Sequence, residues 1–276
     1  MAGTPEKKLS KVFRQILSFI LFVAITLIVL ASCTRAVALD RIRIENAFTS
    51  NICVSGVRDN LIDYAKDTYA RNGLDRQNLD SIFDYNDIKE VIKAYIACNL
   101  HSSVGYNEDT YNDLIKDIVS AYTDDLNRQI KSNDAAVKEL SSSFESYVKE
   151  EIALGAIDSI EKILNVGSVA SLVICIVGVF FAVSSALILF FIGNKRYRNI
   201  RAIGNSLMSA GIFNILFVLM AVITLKIKHI DIYPQYLADI FAKHFSVFTN
   251  SIMSISGILI IFAIIIYTIV WKMKKG

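Results

Sequence analysis

The stretch ILNVGSVASLVICIVGVFFAVSSALILFFIGN, residues 163–194, runs for 32 residues without one charged side chain. A helix needs about 20 apolar residues to cross the roughly 30 Å of hydrocarbon in a bilayer. Helices in the core of a soluble protein rarely stay uncharged for so long, so this stretch predicts a membrane span. Three further charge-free runs, each long enough to cross, occupy residues 15–34, 202–225 and 245–271.

Composition and charge distribution point in the same direction. The 276 residues are 54% hydrophobic, with a mean hydropathy of +0.46, which is too apolar for an ordinary soluble domain. The net charge of +3 conceals an asymmetry: residues 40–166 hold 23 acidic and 14 basic side chains, and the rest hold 3 and 15. The basic residues flank apolar runs and do not form the single basic surface that nucleic-acid binding needs. We therefore expect a lipid bilayer, and no nucleic acid, as a partner.

Lysine and arginine near the ends of the spans predict the orientation of the chain. They cluster before the first run, between the second and third, and after the fourth. Four crossings place all three clusters on one side of the membrane, which the positive-inside rule identifies as the cytoplasm. The clusters are Lys7, Lys8, Lys11 and Arg14; Lys195, Arg196, Arg198 and Arg201; and Lys272, Lys274 and Lys275.

The predicted fold is an all-α membrane protein of the cell membrane. Four transmembrane helices carry an extracytoplasmic helical bundle that is inserted between the first and second spans. In order, the predicted parts are a cytoplasmic N-terminus (1–14), transmembrane helix 1 or a lipoprotein signal (15–38), an extracytoplasmic all-α domain (39–166), transmembrane helix 2 (167–193), a cytoplasmic loop (194–201), transmembrane helix 3 (202–226), an outer loop with an amphipathic helix (227–248), transmembrane helix 4 (249–271) and a cytoplasmic C-terminus (272–276).

The letters LASC, residues 30–33, leave two interpretations of the first run open. They match the pattern at which bacteria cleave a lipoprotein signal and attach lipid to the new N-terminal cysteine, here Cys33. A basic stretch and an apolar core precede them, as a signal requires. The alternative, which we favour, is a retained helix that happens to end in these residues. No Asn-x-Ser/Thr sequon occurs among 17 asparagines, which favours a bacterial source.

The acidic segment 40–166 shows helical spacing of its apolar residues throughout. Turn signals at 72–73, 101–106 and 132–133 separate four helices, and Asn107 is a candidate cap for the third. The fourth helix either continues from about residue 134 to 193 as one rod or kinks at Gly155 or Gly167. The four stripes are Val57, Leu61, Ala65 and Tyr69; Ile88, Val91, Ile92, Tyr95 and Ile96; Tyr111, Ile115, Ile118, Tyr122, Leu126 and Ile130; and Val137, Leu140, Phe144, Val148 and Ile152.

Candidate chemistry in the sequence is sparse. Cys53 and Cys98 are the two cysteines within the predicted outer domain, where a disulfide is permitted, so they are a possible pair, with buried free thiols as the alternative. The three histidines have no partner at metal-ligand spacing, and acidic clusters at 84–87 and 107–109 are better explained as helix starts. We expect no metal, no cofactor and no enzymatic activity.

Small residues and a second outer segment add two structural expectations. Gly178, Ala182 and Ala186 on the second span, and Ser206 and Ala210 on the third, predict close packing between helices of the same chain. The segment after Pro234 predicts an amphipathic helix, on the outer leaflet or under the bundle, or a simple lead-in to the fourth span. Its apolar face would hold Leu237, Ile240, Phe241, Phe245 and Phe248.

Two functions follow from this layout. The first is a structural, interaction or sensing role, in which the outer domain binds a protein partner or another copy of itself. The second arises because the order of spans and outer domain resembles permease subunits of mechanotransmitting ABC transporters. That resemblance implies a role in a transport assembly and is limited to topology and stalk. Those families have mixed α/β outer domains and a longer loop for the ATPase than residues 194–201.

Overall fold

The structure is a computed structural model that describes residues 5–75, 79–100, 106–130, 134–153, 157–191, 196–225 and 234–275. Within these ranges every regular element is a helix, so the predicted all-α class is confirmed. The helices are α1 (Pro5–Cys33), followed by a π-helical turn (Thr34–Ala38), α2 (Arg41–Phe48), α3 (Asn51–Arg71), α4 (Leu79–Ile82), α5 (Tyr85–Leu100), α6 (Glu108–Gln129), α7 (Asp134–Ile152), α8 (Ile157–Phe191), α9 (Arg196–Leu225) and α10 (Gln235–Lys275).

Four of these helices are long and apolar enough to cross a membrane, as the sequence predicted. Their apolar segments are Lys11–Ala38, Ile160–Phe191, Arg196–Thr224 and Gln235–Lys274. Each of these segments contains all, or nearly all, of one of the four charge-free runs in the sequence. The chain is therefore a membrane protein of four spanning helices by length and composition.

The chain divides into two compact units. The first, which we call the membrane unit, comprises Met1–Leu39, Val166–Ile230 and Lys243–Gly276. The second, which we call the bundle, comprises Asp40–Asn165 together with Asp231–Ala242. The bundle therefore takes in a segment from near the end of the chain as well as the acidic block. The division falls within α8 and within α10.

The bundle has its own core, built from the predicted stripes of α3, α5, α6 and α7. The residues of the first stripe, Val57 to Tyr69, are fully buried. At the centre the rings of Tyr122 and Phe144 stack with centroids 4.0 Å apart. The Tyr69 hydroxyl donates a hydrogen bond of 2.9 Å to Asp125 Oδ2 on α6, which satisfies the polar end of a buried ring. The periodic apolar residues thus form one aromatic core.

Local signals set the ends of the bundle helices. Asn107 caps α6, where its Oδ1 accepts from Thr110 N at 2.8 Å, as predicted. Asp84 Oδ1 accepts from Asn86 N at 2.7 Å before α5, so the acidic clusters at 84–87 and 107–109 lie at helix starts. Gly73 has φ = +68° just after α3, a conformation that glycine adopts without strain. Of the predicted turn at 101–106 only Tyr106 is described, and the predicted turn at 132–133 lies outside the described residues.

The predicted fourth helix is divided in two. α7 ends at Ile152, Ala153 lies in a turn, and α8 begins at Ile157. A single rod from residue 134 to 193 is therefore wrong. Residue 155, the first of the two predicted kink positions, lies outside the described residues. α8 passes through Gly167, the second, as continuous helix.

Successive helices of the membrane unit run in alternating directions. Ser18 and Phe22 of α1 lie beside Ser206 and Phe213 of α9, so these two helices are parallel. α8 runs opposite to α1, because Leu21 packs with Leu189 whereas the later residue Ser32 meets the earlier Cys175. The contacts of Gly204 with Ile266 and of Gly211 with Ile260 make α10 antiparallel to α9. Alternation of this kind is what four consecutive crossings produce.

α1 is the central helix of the membrane unit. In its most apolar stretch 39% of residues are buried inside the protein, against 17–22% for the other three spans. The Ser18 and Ser206 hydroxyls lie 2.8 Å apart, and Ser206 Oγ also lies 2.7 Å from the carbonyl oxygen of Ser18. Hydrogen bonds of this kind fasten helices together where lipid gives no hydrophobic drive.

Small residues permit the close approach of the spans, as the sequence predicted. A β-carbon added at Gly178 would lie 2.8 Å from Ile28 Cγ1 on α1. Ala182 and Ala186 pack against the same helix, in a cluster with Leu17 and Leu21. The predicted small faces therefore make contacts within the chain.

A pair of glycines tests this packing. A β-carbon at Gly211 would lie 2.9 Å from the backbone oxygen of Ser256, which has no freedom to move aside, whereas Gly257 has no atom within 4 Å. We expect Gly211→Ala to lower the melting temperature of the purified protein in lipid nanodiscs. Gly257→Ala serves as the matched control and should be neutral or stabilising, because alanine favours helix by about 1 kcal/mol. Equal effects of the two substitutions would contradict the close approach of α9 and α10.

Candidate interaction site

The first turn of α10 is seated on the bundle through one aromatic side chain. Tyr236 lies against Gly56 on α3 so closely that a β-carbon there would overlap its ring. Its hydroxyl donates a 2.9 Å hydrogen bond to Glu151 Oε1 at the end of α7. Asn60 Nδ2 donates to the same oxygen at 2.6 Å. We call the site formed by Gly56, Asn60, Glu151 and Tyr236 the tyrosine notch.

Helical spacing explains how the notch is assembled. On α3, Cys53, Gly56 and Asn60 fall on one side because residues three and four apart share a face. Tyr236 follows Pro234, whose carbonyl accepts from Leu237 N at 3.0 Å in the first turn, a position that suits proline. The Glu151 carboxylate receives two hydrogen bonds, as a partly buried charge requires.

Chemically, the notch is suited to attachment. The Cys53 thiol beside it is fully buried, and burial, with a contribution from the negative charge of Glu151, raises its pKa to about 12. A thiol of this kind is protonated at neutral pH and is a poor nucleophile. The arrangement therefore holds three segments of chain together and offers no activated group.

A surface groove of about 660 Å³ lies between α5 and the start of α6. This volume is within the range of sites for small ligands. The rings of Tyr95 and Tyr111 lie 5.4 Å apart, and burial raises the pKa of Tyr111 to about 12, so its hydroxyl stays neutral. The groove is lined by Tyr95, Ala97, Cys98, Asn99, Tyr106, Asn107, Glu108 and Tyr111.

A row of three aspartates marks the exposed side of α3. Asp59, Asp63 and Asp67 are all exposed and repeat every four residues. Within the described part of the chain these three carboxylates form no ion pair. Like charges at this spacing weaken a helix by about 0.2–0.5 kcal/mol per pair, so stability of the fold does not account for them.

The predicted disulfide partners have separate surroundings. All four cysteines are free thiols in the structure. Cys53 lies beside Glu151 and Tyr236, whereas Cys98 lines the groove with Glu108 and Tyr111. Burial raises the pKa of Cys98 as well. The structure gives the pairing no support, and the pairing stays a prediction.

The predicted lipidation residue is enclosed by helices. Cys33 is 2% exposed and packs in a cluster with Val29, Val218 and Ile252. The helix continues past it into the π-helical turn Thr34–Ala38. Cys33 therefore lies at a packed helix contact, which favours the retained-helix interpretation.

The three histidines do not form a site among the described residues. His101 and His229 lie outside the described residues, and His244 lies partly buried on α10. Among the described residues no group of three histidine, cysteine or acidic side chains could hold a metal ion.

The segment after Pro234 combines two of its predicted forms. It is the start of the 41-residue helix α10, and thus a lead-in to the fourth span, and its first turns belong to the bundle. Leu237 and Ile240 are buried as predicted, and Phe245 and Phe248 are partly buried, whereas Phe241 is 40% exposed. The tyrosine notch itself was not predicted. The sequence features that hint at it are Gly56, next to the α3 stripe, and Tyr236, two residues after Pro234.

Comparison of the chain with protein-family models, with curated proteins and with solved structures finds no match.

Removal of one hydroxyl tests the notch. Tyr236→Phe leaves the ring in place and should lower the free energy of unfolding by about 1.5–3 kcal/mol, the usual worth of a hydrogen bond to a charged group. The control is Tyr85→Phe, which loses an exposed 2.5 Å hydrogen bond to Asn51 and should change stability by less than about 0.5 kcal/mol. Denaturant titration of both variants gives the comparison, and equal losses would contradict the notch.

Intact mass tests the fate of α1. Because α1 is the central helix of the membrane unit, we expect the mature protein to retain residues 1–32 and to carry no lipid on Cys33. Cys33→Ser should then leave the mass of the membrane-bound protein unchanged apart from the substitution. A mature chain that begins at a diacylated Cys33 would contradict this expectation.

Proposed function

We propose that this chain is a multi-pass protein of a bacterial cell membrane whose bundle lies outside and serves as a structural, interaction or sensing module. In this proposal both termini lie in the cytoplasm and the protein has no enzymatic activity of its own. The bundle binds a protein partner or a second copy of the chain. The observation that carries the proposal is the row Asp59, Asp63 and Asp67, which forms no ion pair with any residue that the structure describes, on a bundle with its own core.

The charge distribution supports this orientation. Described basic residues at the start of α1, the start of α9 and the end of α10 include Lys11, Arg196 and Lys272. The alternating helix directions bring these three ends to one side of the membrane unit. The bundle follows the opposite end of α1. Positive residues favour the cytoplasmic side, so the bundle belongs on the other side.

The aspartate row supports a cationic partner. Its three carboxylates repel one another on a helix whose other side is fully buried. A basic surface would neutralise this repulsion and gain attraction, and attraction between exposed charges weakens as salt rises. We therefore expect the partner to present lysine or arginine and its binding to depend on ionic strength.

Cysteine labelling tests the orientation. The side chain of Asp113 on α6 is 71% exposed, and Lys272 is exposed at the end of α10. A membrane-impermeant maleimide should label Asp113→Cys on intact cells and Lys272→Cys only after permeabilisation. The wild-type protein, with its buried or half-buried cysteines, gives the background. The reverse pattern of labelling would overturn the proposed orientation.

Cross-linking in native membranes tests the interaction. Asp63→Asn/Asp67→Asn should reduce the yield of cross-links between the bundle and its partner, and high salt should reduce it in the wild type. The matched control, Glu139→Gln/Glu150→Gln, removes the same charge from exposed positions on α7 and should leave the yield unchanged. Equal loss in both variants would mean that only net charge matters and would overturn the assignment of the aspartate row.

A transport role is the second candidate, and one observation favours it. α8 and α10 each extend from the bundle into the membrane unit as uninterrupted helices. Helices of this kind suit a subunit that transmits movement. Co-purification of an ATPase with the full-length protein would favour this role, and a stable assembly without one would favour the interaction module.

A further inference from the structure

A fully buried amide lies in the middle of the membrane unit. Asn214 on α9 has 0% exposure, and neither its Nδ2 nor its Oδ1 has a hydrogen-bond partner within the described residues. It lies near the centre of the charge-free run 202–225. An amide without hydrogen bonds is strongly unfavourable in hydrocarbon, so this side chain requires a hydrogen-bonding partner.

A second unpartnered group lies at the same depth. Thr26 on α1 is 6% exposed, and its Oγ1 also has no partner within the described residues. Most threonines in these helices bond to a carbonyl one turn back, as Thr34 and Thr249 do. Thr26 does not, which leaves its hydroxyl available to another group.

Two contacts bracket these residues. On one side the rings of Phe22 and Phe213 meet edge to face at 5.8 Å. On the other, Val29 packs in one cluster with Val218. Because α1 and α9 are parallel, Thr26 and Asn214 lie between these contacts at one level.

α10 supplies a third polar group at this level. The backbone oxygen of Ser256 approaches Gly211, one turn before Asn214, and Ile252 packs with Val218, one turn after it. Ser256 is fully buried, and its hydroxyl donates to the Ile252 carbonyl at 2.7 Å. Its oxygen therefore keeps a lone pair to accept a further hydrogen bond.

We propose that Thr26, Asn214 and Ser256 form an internal site that binds water at the centre of the membrane unit. The site has free donors, on Asn214 Nδ2 and Thr26 Oγ1, and free acceptors, on Asn214 Oδ1 and Ser256 Oγ. No Asp, Glu, Lys, Arg or His occurs within the charge-free runs of the three helices, so the site has no charge to neutralise an ion. Water is the small ligand that both donates and accepts, and buried waters typically make about three such bonds.

Solid-state NMR on the full-length protein in liposomes tests the site directly. With asparagine side chains labelled with ¹⁵N, magnetisation from water should reach Asn214 Nδ2 and should be lost in Thr26→Val. The control signal is Asn205, which is exposed on the same helix and accepts from Tyr267 at 2.8 Å. Its water transfer should persist in the variant. Absence of transfer to Asn214 while Asn205 shows it would overturn the proposal.

A double substitution gives an independent readout. Thr26→Val and Asn214→Leu should each lower Tm. The double variant should lie closer to the wild type than the sum of the two shifts, because it removes both groups that lack a partner within the described residues, while Ser256 keeps its bond to Ile252. Thr268→Val removes an exposed hydroxyl that bonds within its own helix and should leave Tm nearly unchanged. Strictly additive shifts would overturn a shared site. If the Tm of the wild type rises with sodium chloride but not with choline chloride, the site binds a cation, and the proposal that it binds water is overturned.

Discussion

The contact between α1 and α9 is the interaction on which the membrane unit depends. Its hydroxyl pair, Ser18 and Ser206, fixes two parallel helices at one end. Because the two helices are parallel, the chain between them must cross back, and α8 does so packed against α1. α10 then packs on α9 through glycine contacts. The first helix is therefore the element around which the later three are arranged.

The bundle depends on a different kind of contact. Its core is apolar and aromatic, and Tyr69 and Tyr122 place polar hydroxyls inside it. Burial raises the pKa of both phenols, so both stay neutral over the physiological range. The carboxylates of the aspartate row lie on the exposed side of α3. Hydrophobic burial and surface charge thus have separate places on the same helices.

Most of the helices could be predicted from short, local sequence patterns. The apolar stripe from Val57 to Tyr69 predicted α3 because helical periodicity can be recognised within about twenty residues of sequence. Asn107 predicted a cap because its side chain bonds to the backbone only three residues later. The break between α7 and α8 was not predictable with certainty, since glycine is only a weak helix breaker. The tyrosine notch joins Gly56 to Tyr236, which are far apart in sequence. Contacts of that range depend on the packing of the whole bundle, and no short pattern encodes them.

The bundle is built from two segments that are far apart in sequence, so it cannot be completed until the second segment has been synthesised. Residues 40–165 leave the ribosome well before residues 231–242, which complete the same unit. At about 5–20 residues per second, the bundle waits roughly 4–15 s for its last segment. During that interval the surface of α3 at Gly56 lacks the Tyr236 ring that later packs against it. The nascent chain is therefore most open to chaperones at this surface until the first turn of α10 has been made.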